Sequence, residues 1–200
     1  MGYPLNKTIL MTAIIAAVAI NTGCSSSDDS TAAAPTTPTT PTTPAAEGTA
    51  DYVTANSELK GDFSEDVTLV AGTTYKITGE VNFLEGTTLT IPAGTTLYGS
   101  TASSYLAINA GAKIDAQGTA AAPLIFTSAN ELNNISATGT QGEWGGVTII
   151  GKAPIHGGTK TYEAGDQIGG GNDAADNSGT LNYVMIKNSG FEVETDKELN

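Results

Sequence analysis

The sequence predicts an all-β solenoid, and three observations carry that expectation. The phrase VTLVAGTTYKI (Val67 to Ile77) returns as LTIPAGTTLYG (Leu89 to Gly99) and again as LAINAGAKIDA (Leu106 to Ala116). Its glycines, Gly72, Gly94 and Gly111, stand 22 and 17 residues apart, a spacing of the kind that coils stacked strand on strand produce. Composition agrees. Glycine is abundant (24 residues), aromatics are few (6%) and threonine is frequent, which suits short strands and tight turns. No stretch of the body carries a helical period; ANELNNI (Ala129 to Ile135) comes nearest and is short.

Taken from the N-terminus, residues 1–23 read as a signal peptide. A short n-region with Lys7 leads into TILMTAIIAAVAI, Thr8 to Ile20, which is too short to span a bilayer but fits the apolar region of a secretory signal. The residues INTGC that follow resemble the lipobox of bacterial lipoproteins. Gly23 and Cys24 match that motif, and Asn21 stands where the family usually has Leu. The resemblance implies cleavage before Cys24 and lipidation of its thiol, and Ser25, not Asp, in the next place permits export to the outer membrane, so an outer-membrane or cell-surface location is expected. The membrane is thus the first expected partner, reached through the lipidated N-terminus. The alternative is an ordinary cleaved signal that leaves Cys24 as a free thiol. As the only cysteine, it allows neither an intrachain disulfide framework nor a cysteine-based zinc knuckle.

Residues 24–50 read as the anchor and its tether. Repeated PTT triplets cannot bury a core, and each proline holds the chain near the polyproline II conformation. At about 3.1 Å per residue such a tether reaches about 60–80 Å. The body is placed at residues 51–200, as one domain.

Within the body, alternation points Leu89 and Ile91 inward and Thr88 and Thr90 to water. The Ala-Gly pair marks a corner, where glycine accepts a conformation that other residues resist. Tyr75, Leu97 and Ile114 open the next side. PLIFTS (Pro123 to Ser128), VTIIG (Val147 to Gly151) and LNYVMIKNSG (Leu181 to Gly190) are further strands. The Gly- and Asp-rich run from His156 to Gly179 is long enough to leave the coil as a lateral loop.

GEWGGVTIIGKAPI (Gly142 to Ile155) followed by DNSGTLNYVMIKNSG (Asp176 to Gly190) resembles a pattern in secreted and surface-anchored bacterial proteins with a right-handed parallel β-helix fold, similar to the pectate-lyase superfamily. That resemblance implies the fold and an exported location more than a chemistry. In such proteins the chain continues into further coils, and ETDKELN shows no capping element, so Asn200 is expected to be a truncation or a sequence end and not the natural end of the domain.

Charge excludes some functions. Asp and Glu number 21 against 8 Lys and no Arg, a net charge of -13, so the chain repels nucleic acid and has no guanidinium fork for phosphate or carboxylate. Lyases of the resembled fold commonly use an Arg base beside a Ca²⁺-bridged uronate, and that Arg is missing. Hydrolysis needs paired carboxylates; Asp173 with Asp176, or Glu192 with Glu194, supply acids without a signature around them. The loop's oxygen-bearing side chains Asn172, Asp173, Asp176 and Asn177 could ligate Ca²⁺, yet such residues more commonly cap turn backbone. His156 reads as an exposed turn residue, Trp144 as a packing anchor at a coil corner or a sugar-stacking ring, and the GGG at Gly169 lacks the context of a phosphate loop. No catalytic residue, metal or cofactor is therefore assigned. The expectation is a lipid-anchored surface β-helix that binds or displays, its Thr-rich outer face matched to a glycan or protein ligand; the competing expectation is a polysaccharide-active enzyme.

Overall fold

The computed structural model describes residues 43–137, 140–162, 167–194 and 197–198. The signal peptide, Cys24 and the tether as far as residue 42 lie outside the described residues.

A short helix opens the body. Thr49 caps α1 (Ala50–Asn56) by accepting from the Tyr52 N–H, Asp51 lies in the first turn, and Ser57 ends it in the left-handed region. Val53 is buried against the first coil. The packed body takes in residues before the expected boundary at Asp51: Gly48 is buried against the Asp62 backbone and Glu47 pairs with Lys60 at 2.6 Å. With so few buried positions, α1 is too short for a helical period to show in sequence.

The chain then winds through parallel strands. β1 (Glu58–Phe63) and β2 (Val67–Thr68) form the first coil, β3 (Thr74–Phe83) and β4 (Thr88–Pro92) the second. β5 (Thr96–Gly99), β6 (Tyr105–Ile108) and β7 (Lys113–Gln117) form the third. In the fourth, β8 (Leu124–Ser128) leads through a single helical turn, α2 (Ala129–Leu132), to β9 (Gly146–Ile149). An antiparallel hairpin, β10 (Lys160–Thr161) with β11 (Ile168–Gly169), leaves the coil at the side, as the loop length predicted. The path resumes in β12 (Gly179–Asn182) and β13 (Val184–Ile186), and β14 (Glu192–Glu194) pairs antiparallel with β15 (Lys197–Glu198).

Every pairing between coils is parallel. β3 bends at Gly79, so its first half pairs with β5 and its second half with β6. Three faces result: β1-β3-β5-β8-β13, the far halves of β1 and β3 with β6 and β9, and β2-β4-β7-β12. The fold is a parallel β-helix, and parallel crossovers of this kind are right-handed in nearly all proteins.

Inward side chains pile into columns. Tyr75 lies on Leu97 and Leu97 on Phe126; Phe63 on Phe83 and Phe83 on Ile108; Val67 on Leu89 and Leu89 on Ile114. All of these are buried, as the alternation predicted for Leu89, Ile91, Tyr75, Leu97 and Ile114. Ile149, Leu181 and Ile186 continue the columns but are exposed, because no further strand among the described residues lies over them.

One expectation needs correction. Gly72 and Gly94 do occupy one corner, their backbones adjacent, but Gly94 donates next to Ala122 O and not to the third phrase. Gly111 instead accepts from Gly86 N at 3.0 Å, at a different corner. The interval of 17 residues is therefore not one coil. Each of these corners needs a left-handed residue between two inward apolar runs, and the same phrase serves at both. A further feature, which the reading of Thr88 and Thr90 did not touch, is a pair of inward threonines. Thr87 and Thr95 turn inward and donate to Leu84 O and Pro92 O at 2.7 Å, satisfying corner carbonyls that burial would otherwise leave unpaired.

Glu58 ties α1 to this body. Burial pushes its carboxyl up, but donors from Lys76, Thr78 and Tyr52 outweigh that and bring it from 4.5 down to about 2; the same bond holds the Tyr52 phenol up at about 12. A lowered folded value means stability that is present above about pH 4.5 and lost as pH falls toward 2. Glu58→Gln should accordingly flatten the fall of thermal stability across that window. Melting curves at stepped acid pH check it, and an unchanged slope would contradict it.

Candidate functional site: a polar notch at a coil corner

Where the first face turns into the second, the corner is built from hydroxyl side chains. The loop from Ser100 to Ser104 joins β5 to β6, and the buried Ser104 Oγ accepts from Gly79 N at 3.3 Å and Thr101 N at 3.2 Å, so the loop is held on the coil beneath it. One coil further on, the chain leaves β8 at Ser128, which caps α2 through the Glu131 N–H, and returns through Gly142 and Glu143. Between the two loops lies a cavity of about 360 Å³ whose polar walls are Ser100, Thr101, Asn130 and Glu143.

Among the described residues Glu143 is the only ionisable one lining the cavity. Its carboxylate accepts from the Ser128 hydroxyl, the Ser136 hydroxyl at 2.6 Å and the Asn130 amide at 3.3 Å. The Ser128 donor above all, then Ser136, holds the carboxyl below its ordinary value. A carboxylate kept ionised by three donors is a poor general acid, and among the described residues no second acid lines the cavity to complete a hydrolytic pair. The polar surface continues along the solenoid: Ser100 Oγ lies 3.4 Å from Thr78 Oγ1, which donates to Glu58 at 2.5 Å.

A larger cavity of about 600 Å³ lies between β9 and the lateral hairpin. Its walls are chiefly aliphatic, with Val147, Ile149 and Ile155, and its polar groups are partly committed: the Tyr162 hydroxyl to Thr148 at 2.7 Å, for instance. Beside it the Tyr105 phenol is pushed up to about 12, mainly by burial. The smaller notch is the better fit to a polar ligand.

The residues singled out in the sequence take other places. Asp173 accepts from Ala175 N and Asn177 from Gly179 N, each capping its own turn, the commoner of the two readings, while Asp176 accepts from Lys152 N at 2.7 Å and so ties the loop to the segment after β9. His156 is exposed in the turn between Ile155 and Gly158, as expected. Trp144 is fully buried, its Nε1 donating to Lys187 O at 2.8 Å; it is the packing anchor and not a sugar platform. Glu192 is exposed, and the side chain of Glu194 lies outside those described. Among the described residues no three His, Cys, Asp or Glu side chains converge. Sequence reasoning missed Glu143, Ser128, Ser136 and Asn130. Only their clustering on either side of one irregular loop could have pointed to them, and hydroxyl residues are too common in this chain for that to stand out.

Compared with known proteins, the chain matches none of the curated proteins and none of the solved structures. A family model does match it, over residues 61–200, described as a pectate-lyase like beta helix domain. That span contains the wound body from the first coil onward, so the chain belongs to the pectate-lyase like beta helix domain family.

Proposed function

We propose that this chain is an exported, lipid-anchored surface β-helix whose corner notch binds a glycan without cleaving it. The observation that carries the reading is the convergence of Ser100, Thr101, Asn130 and Glu143 on one cavity, with Glu143 as its sole ionisable group among the described residues. Hydroxyls and amides both donate and accept, which is what the hydroxyls of a sugar require. A rigid stack of coils holds such groups in place before a ligand arrives, so little ordering cost falls on binding. The family's pectate-lyase likeness fits a polysaccharide-related role and is also what favours the second reading, a polysaccharide-active enzyme.

Titrating the full chain with soluble oligosaccharides, while following reducing ends and unsaturated products over time, separates the two. Saturable binding with no product is the expected result, and product that accumulates and is lost in Glu143→Gln would favour the enzyme. The anchor rests on the sequence around Cys24. Mass spectrometry of the mature N-terminus should find acylated Cys24, and an unmodified thiol there would overturn that part of the proposal.

A further inference from the structure

We infer that the notch takes neutral, hydroxyl-rich glycan chains and rejects uronates, a specificity that rests on the glycan-binding reading above. The argument is one of charge. A uronate carboxylate seated beside Ser100 and Asn130 would face the Glu143 carboxylate, and among the described residues no cation lines the cavity to offset the repulsion. The lysines around this part of the coil are already committed: Lys76 to Glu58 at 2.8 Å, Lys187 to Glu131 at 3.0 Å and Lys60 to Glu47 at 2.6 Å. With a net charge of -13 and no Arg, the field of the whole chain works in the same direction.

Neutral hydroxyls meet the opposite situation. An ionised carboxylate offers about four lone-pair sites; Ser128, Ser136 and Asn130 occupy three on Glu143, which leaves it able to accept from a ligand. Ser100 and Thr101 bring hydroxyls that can donate or accept. Coils repeat at about 4.8 Å, so a linear chain laid along the axis passes from Glu143 and Ser100 to Thr78 and Glu58, meeting polar groups at each step. The family is named for a lyase whose substrate is acidic, yet the charge of this corner selects against such a substrate.

Isothermal titration of the full chain with gluco-, manno- and xylo-hexasaccharides, and with hexagalacturonate with and without Ca²⁺, tests the inference. At least one neutral hexasaccharide should bind at least tenfold more tightly than hexagalacturonate, with an affinity that salt barely changes. Thr101→Ala, an exposed position, should weaken neutral binding severalfold, and Glu143→Gln should narrow the discrimination against hexagalacturonate. Hexagalacturonate binding as tightly as the neutral chains, with Ca²⁺ or without it, would overturn the specificity while leaving glycan binding intact. Binding of none of the probes would overturn the glycan-binding reading itself, and the specificity with it.

Discussion

Phe83→Ala should cost the body about 3–5 kcal/mol, the usual range for emptying a buried aromatic site. Phe83 is fully buried, lies on Phe63 with ring centroids 4.7 Å apart and planes 5° from parallel, and has Ile108 on its other side. Truncation therefore breaks the column on both sides at once. It removes the apolar burial, opens a cavity and forfeits the ring pair, itself worth about 0.5–1.5 kcal/mol. In a solenoid each coil is stabilised chiefly by its neighbours, so weakening the second coil also uncouples the first from the third. Urea unfolding should show a lower midpoint and a broader transition, with Phe83→Leu milder at under about 1.5 kcal/mol. A loss below about 1 kcal/mol for the alanine variant would mean the column is not the source of stability.

Trp144→Ala should be comparably severe, at about 3–5 kcal/mol, for a different reason. The indole fills space that only glycine at position 99 leaves open: a Cβ on Gly99 would come within 2.6 Å of the Trp144 Cβ. Its Nε1 also satisfies the carbonyl of Lys187, whose own N–H donates to Phe126 O, so one side chain fastens the segment that follows β13 to the coil below. Trp144→Phe separates the two contributions. It keeps much of the volume but leaves the Lys187 carbonyl without its donor, which should cost about 1–3 kcal/mol. Gly99→Ala should destabilise as well, by forcing the indole out of its place. Circular dichroism reads all three variants, and amide exchange at Phe191, which donates to Trp144 O, should speed up in Trp144→Ala.

The architecture was legible because its cause is local. Period-2 alternation around Leu89 and Ile91 dictates which side chains point inward, and glycines at the corners punctuate it. What was not legible was which corner each phrase occupies. LAINAGAKIDA satisfies the same steric demand as LTIPAGTTLYG, and only the pairing of Phe83 with Ile108 and Thr88 with Lys113 sets it one face away from where simple alignment put it. The inward threonines were hidden for a related reason. Thr87 looks like any surface threonine until the Leu84 carbonyl that it satisfies is in view. The acidic loop drew attention by composition, and its carboxylates proved to accept from backbone N–H groups, Asp173 within its own turn and Asp176 from Lys152. The notch, by contrast, joins Ser100 and Thr101 to Glu143 across a whole coil, a long-range meeting that no spacing announces.

The claim on which the rest depends is that successive coils lie parallel and in register. Cysteine pairs on the outward side of the third face test it directly, in a Cys24→Ser background. Thr68 lies beside Thr90, and Thr90 beside Asp115; neighbouring strands at about 4.8 Å put such pairs within disulfide reach, while positions two coils apart are beyond it. Mild oxidation should therefore cross-link Thr68→Cys with Thr90→Cys and Thr90→Cys with Asp115→Cys, but not Thr68→Cys with Asp115→Cys. Efficient cross-linking of the third pair, or failure of the first two in folded protein, would contradict the parallel coil.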